Sequence, residues 1–149
     1  MTNHRQTAIG PKVVVTSPSQ AYQDLVEQSE ALAYAGPDEP LQISTLCRLL
    51  AVSDRTLRKA FHQIHGVPPC RHFRMLRLCH ARSALLSADA RFATVTEIAT
   101  SSGFMELGRF SVEYREAFGE SPSQTLQRPA STQSFRFLDC RRPSRGLSA

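Results

Sequence analysis

A chain of 149 residues with 41% hydrophobic content can bury one core or two very small ones. No apolar run approaches the roughly 18 residues a membrane helix requires, and no apolar stretch follows the N-terminal charges as in a secretory signal, so the sequence predicts a cytoplasmic protein. A net charge of +5 and a pI near 9.4 suit a polyanionic partner without demanding one.

Residues 1–16 lack helical periodicity and read as an irregular N-terminal segment, with Val13 to Val15 either a short strand or the frayed end of something larger. Ser17-Pro18-Ser19-Gln20 is a capping box with Pro at the first helical position. It predicts a helix that turns Tyr22, Leu25 and Leu32 inward and stops near Gly36-Pro37. Short and longer helices follow at 43–50 and 54–65. Pro68-Pro69 then open a long helix to about Ser87, whose apolar stripe is Phe73, Leu76, Leu78, Ala81, Leu85 and Leu86. Thr94-x-x-Glu97 is a further capping box, starting a short helix that ends near Ser102 with Ile98 and Ala99 facing the core. Gly103 supplies a tight turn into a helix from about Leu107 to Phe118. Ser121-Pro122-Ser123-Gln124 repeats the Ser-Pro-Ser-Gln cap before a last short helix, and 129–149 reads as a mobile basic tail despite Phe135, Phe137 and Leu138.

Inside this series lies a repeat. Leu57-x₃-Phe61-x₄-Gly66-x₂-Pro69 returns 53 residues later as Phe110-x₃-Tyr114-x₄-Gly119-x₂-Pro122. In each copy two apolar residues share a helix face, Gly stands where a helix ends in the left-handed conformation, and Pro opens the next helix. A shorter helix precedes each copy, which is the layout of a helix-turn-helix. The predicted fold is therefore all-α with about seven helices. Two helix-turn-helix subdomains, 41–66 and 94–119, are joined by the bridging helix 69–87 in a homeodomain-like arrangement within a domain spanning 17–128.

Charge is divided unequally between the copies. Residues 41–82 carry eight Arg or Lys against Asp54 alone, whereas 83–128 carry four Arg against six acids. The stretch from Ala21 to Pro40 adds five acids and no base, and so predicts a solvated face pointing away from DNA.

Arg77-Leu78-x-x-Ala81-Arg82, Thr94-Val95-Thr96-Glu97-Ile98-Ala99, Gly103-Phe104, Leu107-Gly108-Arg109-Phe110-Ser111, Tyr114 and Phe118-Gly119-Glu120-Ser121-Pro122 together resemble the signature of the AraC/XylS family of bacterial transcription regulators. The resemblance covers roughly residues 20–128. It implies two reading helices entering successive major grooves on one face of double-stranded DNA at an asymmetric operator. Known members usually carry an N-terminal effector-sensing or dimerisation domain, which residues 1–16 are too short to form. The expectation is a stand-alone regulator or the C-terminal part of a larger one whose sensor lies outside this chain. Two positions depart from the pattern: Ala51 stands where the family usually has Gly, and Gln42 where an N-cap would be Ser, Thr or Asp.

Helix geometry then selects the DNA-facing residues. With Leu57, Ala60, Phe61 and Ile64 inward, Arg55, Arg58, Lys59 and His62 face out, and the first three fall at the family's base-reading positions. A solvated basic face touching only phosphate is the plainer alternative. Ser53 caps that helix beside amides able to meet a phosphate. The second reading helix offers Arg109 for bases, Leu107, Ser111 and Val112 for base or thymine-methyl contact, and Arg115, with Arg74 on the bridge, for phosphate.

Cys47, Cys70, Cys79 and Cys140 form no C-x-x-C pair, and a cytosolic setting argues against structural disulfides. Cys70-x-His72 and Cys79-His80 hint at a metal, but adjacent helical residues diverge by about 100°, so no metal site and no cofactor is predicted. With no catalytic triad, phosphate loop or paired carboxylates, the sequence predicts no enzyme. A protein-interaction module is the other open class, its acidic surfaces facing RNA polymerase or a partner domain.

Overall fold

The computed structural model describes residues 17–35 and 41–128, so the expectations for 1–16, 36–40 and 129–149 lie outside the described residues. Seven helices occur among the described residues: α1 (Pro18–Ala35), α2 (Ile43–Leu49), α3 (Asp54–His65), α4 (Pro69–Ser87), α5 (Val95–Ser101), α6 (Leu107–Phe118) and α7 (Pro122–Leu126).

Their ends follow local chemistry. Ser53 accepts from the Thr56 amide, and Thr94 and Ser121 close full reciprocal boxes with Glu97 and Gln124. Ser17 makes half a box: its Oγ accepts from the Gln20 amide at 3.2 Å, while the Gln20 side chain turns forward to Asp24. α3 and α6 both stop at a left-handed glycine, Gly66 and Gly119. Gln42 caps α2 with no side-chain hydrogen bond, as the departure from the family pattern implies.

Two cores form, and α4 serves both. The first gathers Val26, Leu46, Leu57, Ala60 and Phe61, with Phe73 of α4 packed against it. The second gathers Leu78, Ala81 and Leu85 of α4 with Ala99, Phe104, Phe110, Tyr114 and Leu126. The apolar faces of α3 and α6 thus point into separate cores from opposite ends of one rigid helix, and their polar faces are left outward. Leu76, 7% exposed, lies on α4 between the two core segments.

Two sequence expectations need correction. The deepest residues of α1 are Val26, Ser29 and Glu30, with Tyr22, Leu25 and Leu32 only partly buried around them. The acidic helix is therefore not wholly a solvated face; it packs on α3 through Glu30. On α4, Phe73 and Leu86 are half-buried, and His72 and Cys79 are buried beside Leu76 and Leu78. Cys47 and Cys70 are free, and Cys140 lies outside the described residues.

The first turn carries strain in one residue. Ala51 has φ of 53°, the single non-glycine residue in the left-handed region among the described residues. A Cβ there meets the following carbonyl at a cost of about 1–2 kcal/mol. Ala51→Gly relieves this but enlarges the freedom of the unfolded chain by about 0.4–1 kcal/mol. The expected net result is a stabilisation of about 0.5–1 kcal/mol, read as a raised urea midpoint with unchanged m-value. A lowered midpoint would show that Ala51 is unstrained.

Candidate nucleic-acid interface

Both helix-turn-helix units close the same way. After α2 the Val52 amide donates to the Cys47 carbonyl at 3.0 Å, and after α5 the Phe104 amide donates to the Ala99 carbonyl at 3.0 Å. Ala51 and Gly103 hold the preceding left-handed position in each turn. One residue, Ser53, then leads into α3, whereas two, Met105 and Glu106, lead into α6. The extra residue explains why the reading helices repeat at 53 residues while Cys47 and Ala99 are 52 apart. Ser53 caps its helix; Glu106 does not.

On α3 the solvent-facing surface consists of Asp54, Arg55, Arg58, Lys59, His62 and Gln63, with Leu57, Ala60 and Phe61 buried behind it. Arg58 Nε donates to Asp54 Oδ2 at 2.6 Å one turn back, with both side chains over half exposed. That hydrogen bond raises the guanidinium's already high pKa. Such a pair is worth little in water and yields readily to another anion. Lys59 Nζ lies 5.8 Å from the Tyr22 ring, so α1 borders the basic face.

On α6, Gly108, Arg109, Val112, Arg115 and Glu116 are exposed. Leu107 is half-buried against the second core, and the Ser111 hydroxyl donates back to the Leu107 carbonyl at 2.9 Å. Val112, 59% exposed, is the apolar side chain this surface presents most openly. The two outer faces thus differ in chemistry as the sequence implies: three long basic side chains on α3, and two arginines among small, apolar and acidic residues on α6.

A feature invisible in the sequence is the position of Glu113. Its carboxylate takes Nε of Arg74, from α4, on one oxygen and Nε of Arg109, 3.0 Å away, on the other. One acid therefore holds two predicted DNA contacts and ties the bridge to the second reading helix. Burial opposes ionisation of Glu113, but the hydrogen bonds and charges of Arg74 and Arg109 outweigh it and hold the carboxyl below its ordinary range. Because the unfolded chain then takes up the proton first as pH falls, this contribution is complete above the ordinary carboxylate range and vanishes as pH drops through the lowered folded value. Glu113→Gln is expected to cost about 1 kcal/mol at neutral pH and to flatten the acid limb of stability in urea melts from pH about 7 to about 3. An unchanged acid limb would mean the clamp does not form in solution.

Arg77, half-buried, reaches from α4 to the second turn. Its guanidinium lies 5.4 Å from the Phe104 ring centre and donates to the Gly103 carbonyl at 3.4 Å. Burial, then the neighbouring Arg74 charge, pushes its pKa down.

A family profile described as a helix-turn-helix domain matches residues 46–128. Among solved structures, a probable AraC family transcriptional regulator from Rhodopseudomonas palustris is 39% identical with a TM-score of 0.63, covering 71% of this chain and 99% of that one. The chain belongs to the AraC/XylS family. Among curated AraC/XylS-type relatives, the probable thc operon regulatory protein of Rhodococcus erythropolis is 36% identical over 110 residues, which are 74% of this chain and 33% of that protein. The XylDLEGF operon transcriptional activator of Pseudomonas putida is 38% identical over 87 residues, 58% of this chain and 27% of that protein. The chain spans about a third or less of the length of these two AraC/XylS relatives. It carries the AraC-type DNA-binding domain of a transcription regulator, and no described helix is long and apolar enough to cross a membrane.

Proposed function

We propose that residues 17–128 bind duplex DNA as a monomer, with α3 and α6 in successive major grooves on one face and the specific reading concentrated in α3. The observation that supports this reading most is the pair of helix-turn-helix units fixed on opposite ends of α4. One chain thereby supplies the two reading helices that simpler helix-turn-helix proteins obtain by dimerising.

In this proposal Arg55, Arg58 and Lys59 contact base edges, and an arginine fork on guanine O6 and N7 favours a G-containing first half-site. Arg109 reads the second half-site once DNA draws it from Glu113. Val112 is the thymine-methyl contact, with Leu107 and Ser111 held closer to the protein core. Ser53, Arg74 and Arg115 meet phosphates and set the register. The chain acts by binding and not by catalysis, on the cytoplasmic nucleoid. We propose as its further partners RNA polymerase and a sensing or dimerisation domain outside this chain, with a stand-alone regulator as the other reading.

Selecting sites from random DNA with each variant, alongside affinity at several salt concentrations, tests the assignment. Arg58→Ala is expected to relax preference at one or two positions and to cost about 1–3 kcal/mol on the specific site. Arg115→Ala should weaken all sequences nearly equally and reduce the salt slope by about one. Arg109→Ala should disturb the second half-site alone. If Arg58→Ala leaves the selected site unchanged while Arg109→Ala erases it, α3 is not the specifying helix. A palindromic site saturating at two chains per duplex would overturn the monomeric mode.

A further inference from the structure

The first helix-turn-helix unit contains a side-chain cluster that DNA reading does not use. Glu30 of α1, His65 at the end of α3 and His72 in the first turn of α4 converge on one point. The Nε2 atoms of His65 and His72 lie 3.1 and 2.8 Å from the same Glu30 oxygen. The two imidazoles stack with centres 4.0 Å apart and planes 16° from parallel. The three potential ligand atoms all fall within 4.8 Å of one another, and each side chain is at most 17% exposed. Phe61 backs both rings, at 5.9 and 5.4 Å.

The second copy shows that the repeated unit does not need this arrangement. The residues 53 positions after His65 and His72 are Phe118 and Thr125. Phe118 packs edge-on against Tyr114 with ring centres 4.7 Å apart, and Thr125 accepts the Tyr114 hydroxyl at 2.9 Å. An apolar ring and a hydroxyl close that unit. The first copy instead places two imidazoles there and brings a carboxylate to them from 35 and 42 residues away.

We propose that Glu30, His65 and His72 form a binding site for a divalent transition-metal cation of the zinc class. Two imidazole nitrogens and one carboxylate oxygen are a borderline donor set that suits zinc, whereas calcium and magnesium take oxygen ligands. Three protein ligands leave a tetrahedral ion one further position. Because the ligands come from α1, α3 and α4, the bound ion fastens the C-terminal end of the reading helix to the two helices behind it.

The test uses the full chain stripped with a chelator, titrated with Co²⁺ while its visible absorption is followed, then with Zn²⁺. The expected result is saturation near one equivalent, displacement of Co²⁺ by Zn²⁺, and a melting temperature that rises with zinc. Glu30→Gln and His65→Phe, the latter installing the second copy's residue, should each weaken binding about 10-fold or more. Circular dichroism in chelator checks that both variants fold, and His72→Asn replaces either one that does not. His62→Ala and His80→Ala, both at exposed positions, should leave binding unchanged. The proposal is overturned by absence of saturable binding, by binding that survives in the folded Glu30 and His65 or His72 variants, or by binding that follows His62 or His80.

Discussion

Phe61→Ala is expected to destabilise the first helix-turn-helix unit by about 3–5 kcal/mol, a large part of the 5–15 kcal/mol typical of a whole domain. Phe61 is fully buried, and its ring meets those of Phe73, His65 and His72 with centres 5.2 to 5.9 Å apart. Removing it leaves a cavity where α1, α3 and α4 meet, and the neighbouring rings relax only in part. The second core shares no buried residue with the first, so the loss should be uneven. Amide exchange is expected to accelerate through α1–α3 while α6 keeps its protection, and urea melts should lose two-state character. Phe110→Ala, in the second core at the position that repeats Leu57, should invert that pattern. If either variant loosens both units equally, the bridge makes them one cooperative body.

Glu120→Ala should have an effect of similar size on the second unit. Glu120 follows the Gly119 helix stop, and its carboxylate takes Arg82 NH2 at 2.9 Å, Arg128, and the Thr125 hydroxyl at 3.0 Å. The Arg82 and Glu120 side chains are only 13% and 12% exposed, and the Arg82 guanidinium lies 4.6 Å from the Phe118 ring centre. Deleting the acid takes away a charged partner of a largely buried cation, and breaking such a pair typically costs about 3–5 kcal/mol. Replacing both partners together, as Arg82→Met with Glu120→Leu, is expected to cost clearly less than Glu120→Ala alone, because both charges are then removed from the buried site. Denaturant melts of the variants measure this. A Glu120→Ala midpoint close to wild type would show that Arg82 remains solvated.

The sequence by itself determined the helices, their ends and their pairing into two units. Those features are written within a few residues of one another: Ser53, Thr94 and Ser121 cap by reaching three residues ahead, Gly66 and Gly119 stop a helix by their own backbone, and an apolar face recurs every third or fourth residue. The outward faces of α3 and α6 followed as the complement of their inward faces, and the repeat identified both helices as the same device used twice.

Only the tertiary structure decided what joins residues far apart in the chain. The apolar residues of α1 spread over more than one face, so packing on α3 chose Val26, Ser29 and Glu30 as its deepest positions. Arg74 meets Glu113 across 39 residues, and Glu30 meets His65 and His72 across 35 and 42. No local period or motif relates such positions. Their meeting depends on how α1 and α6 settle against α3 and α4, and the burial of many apolar side chains at once fixes that geometry.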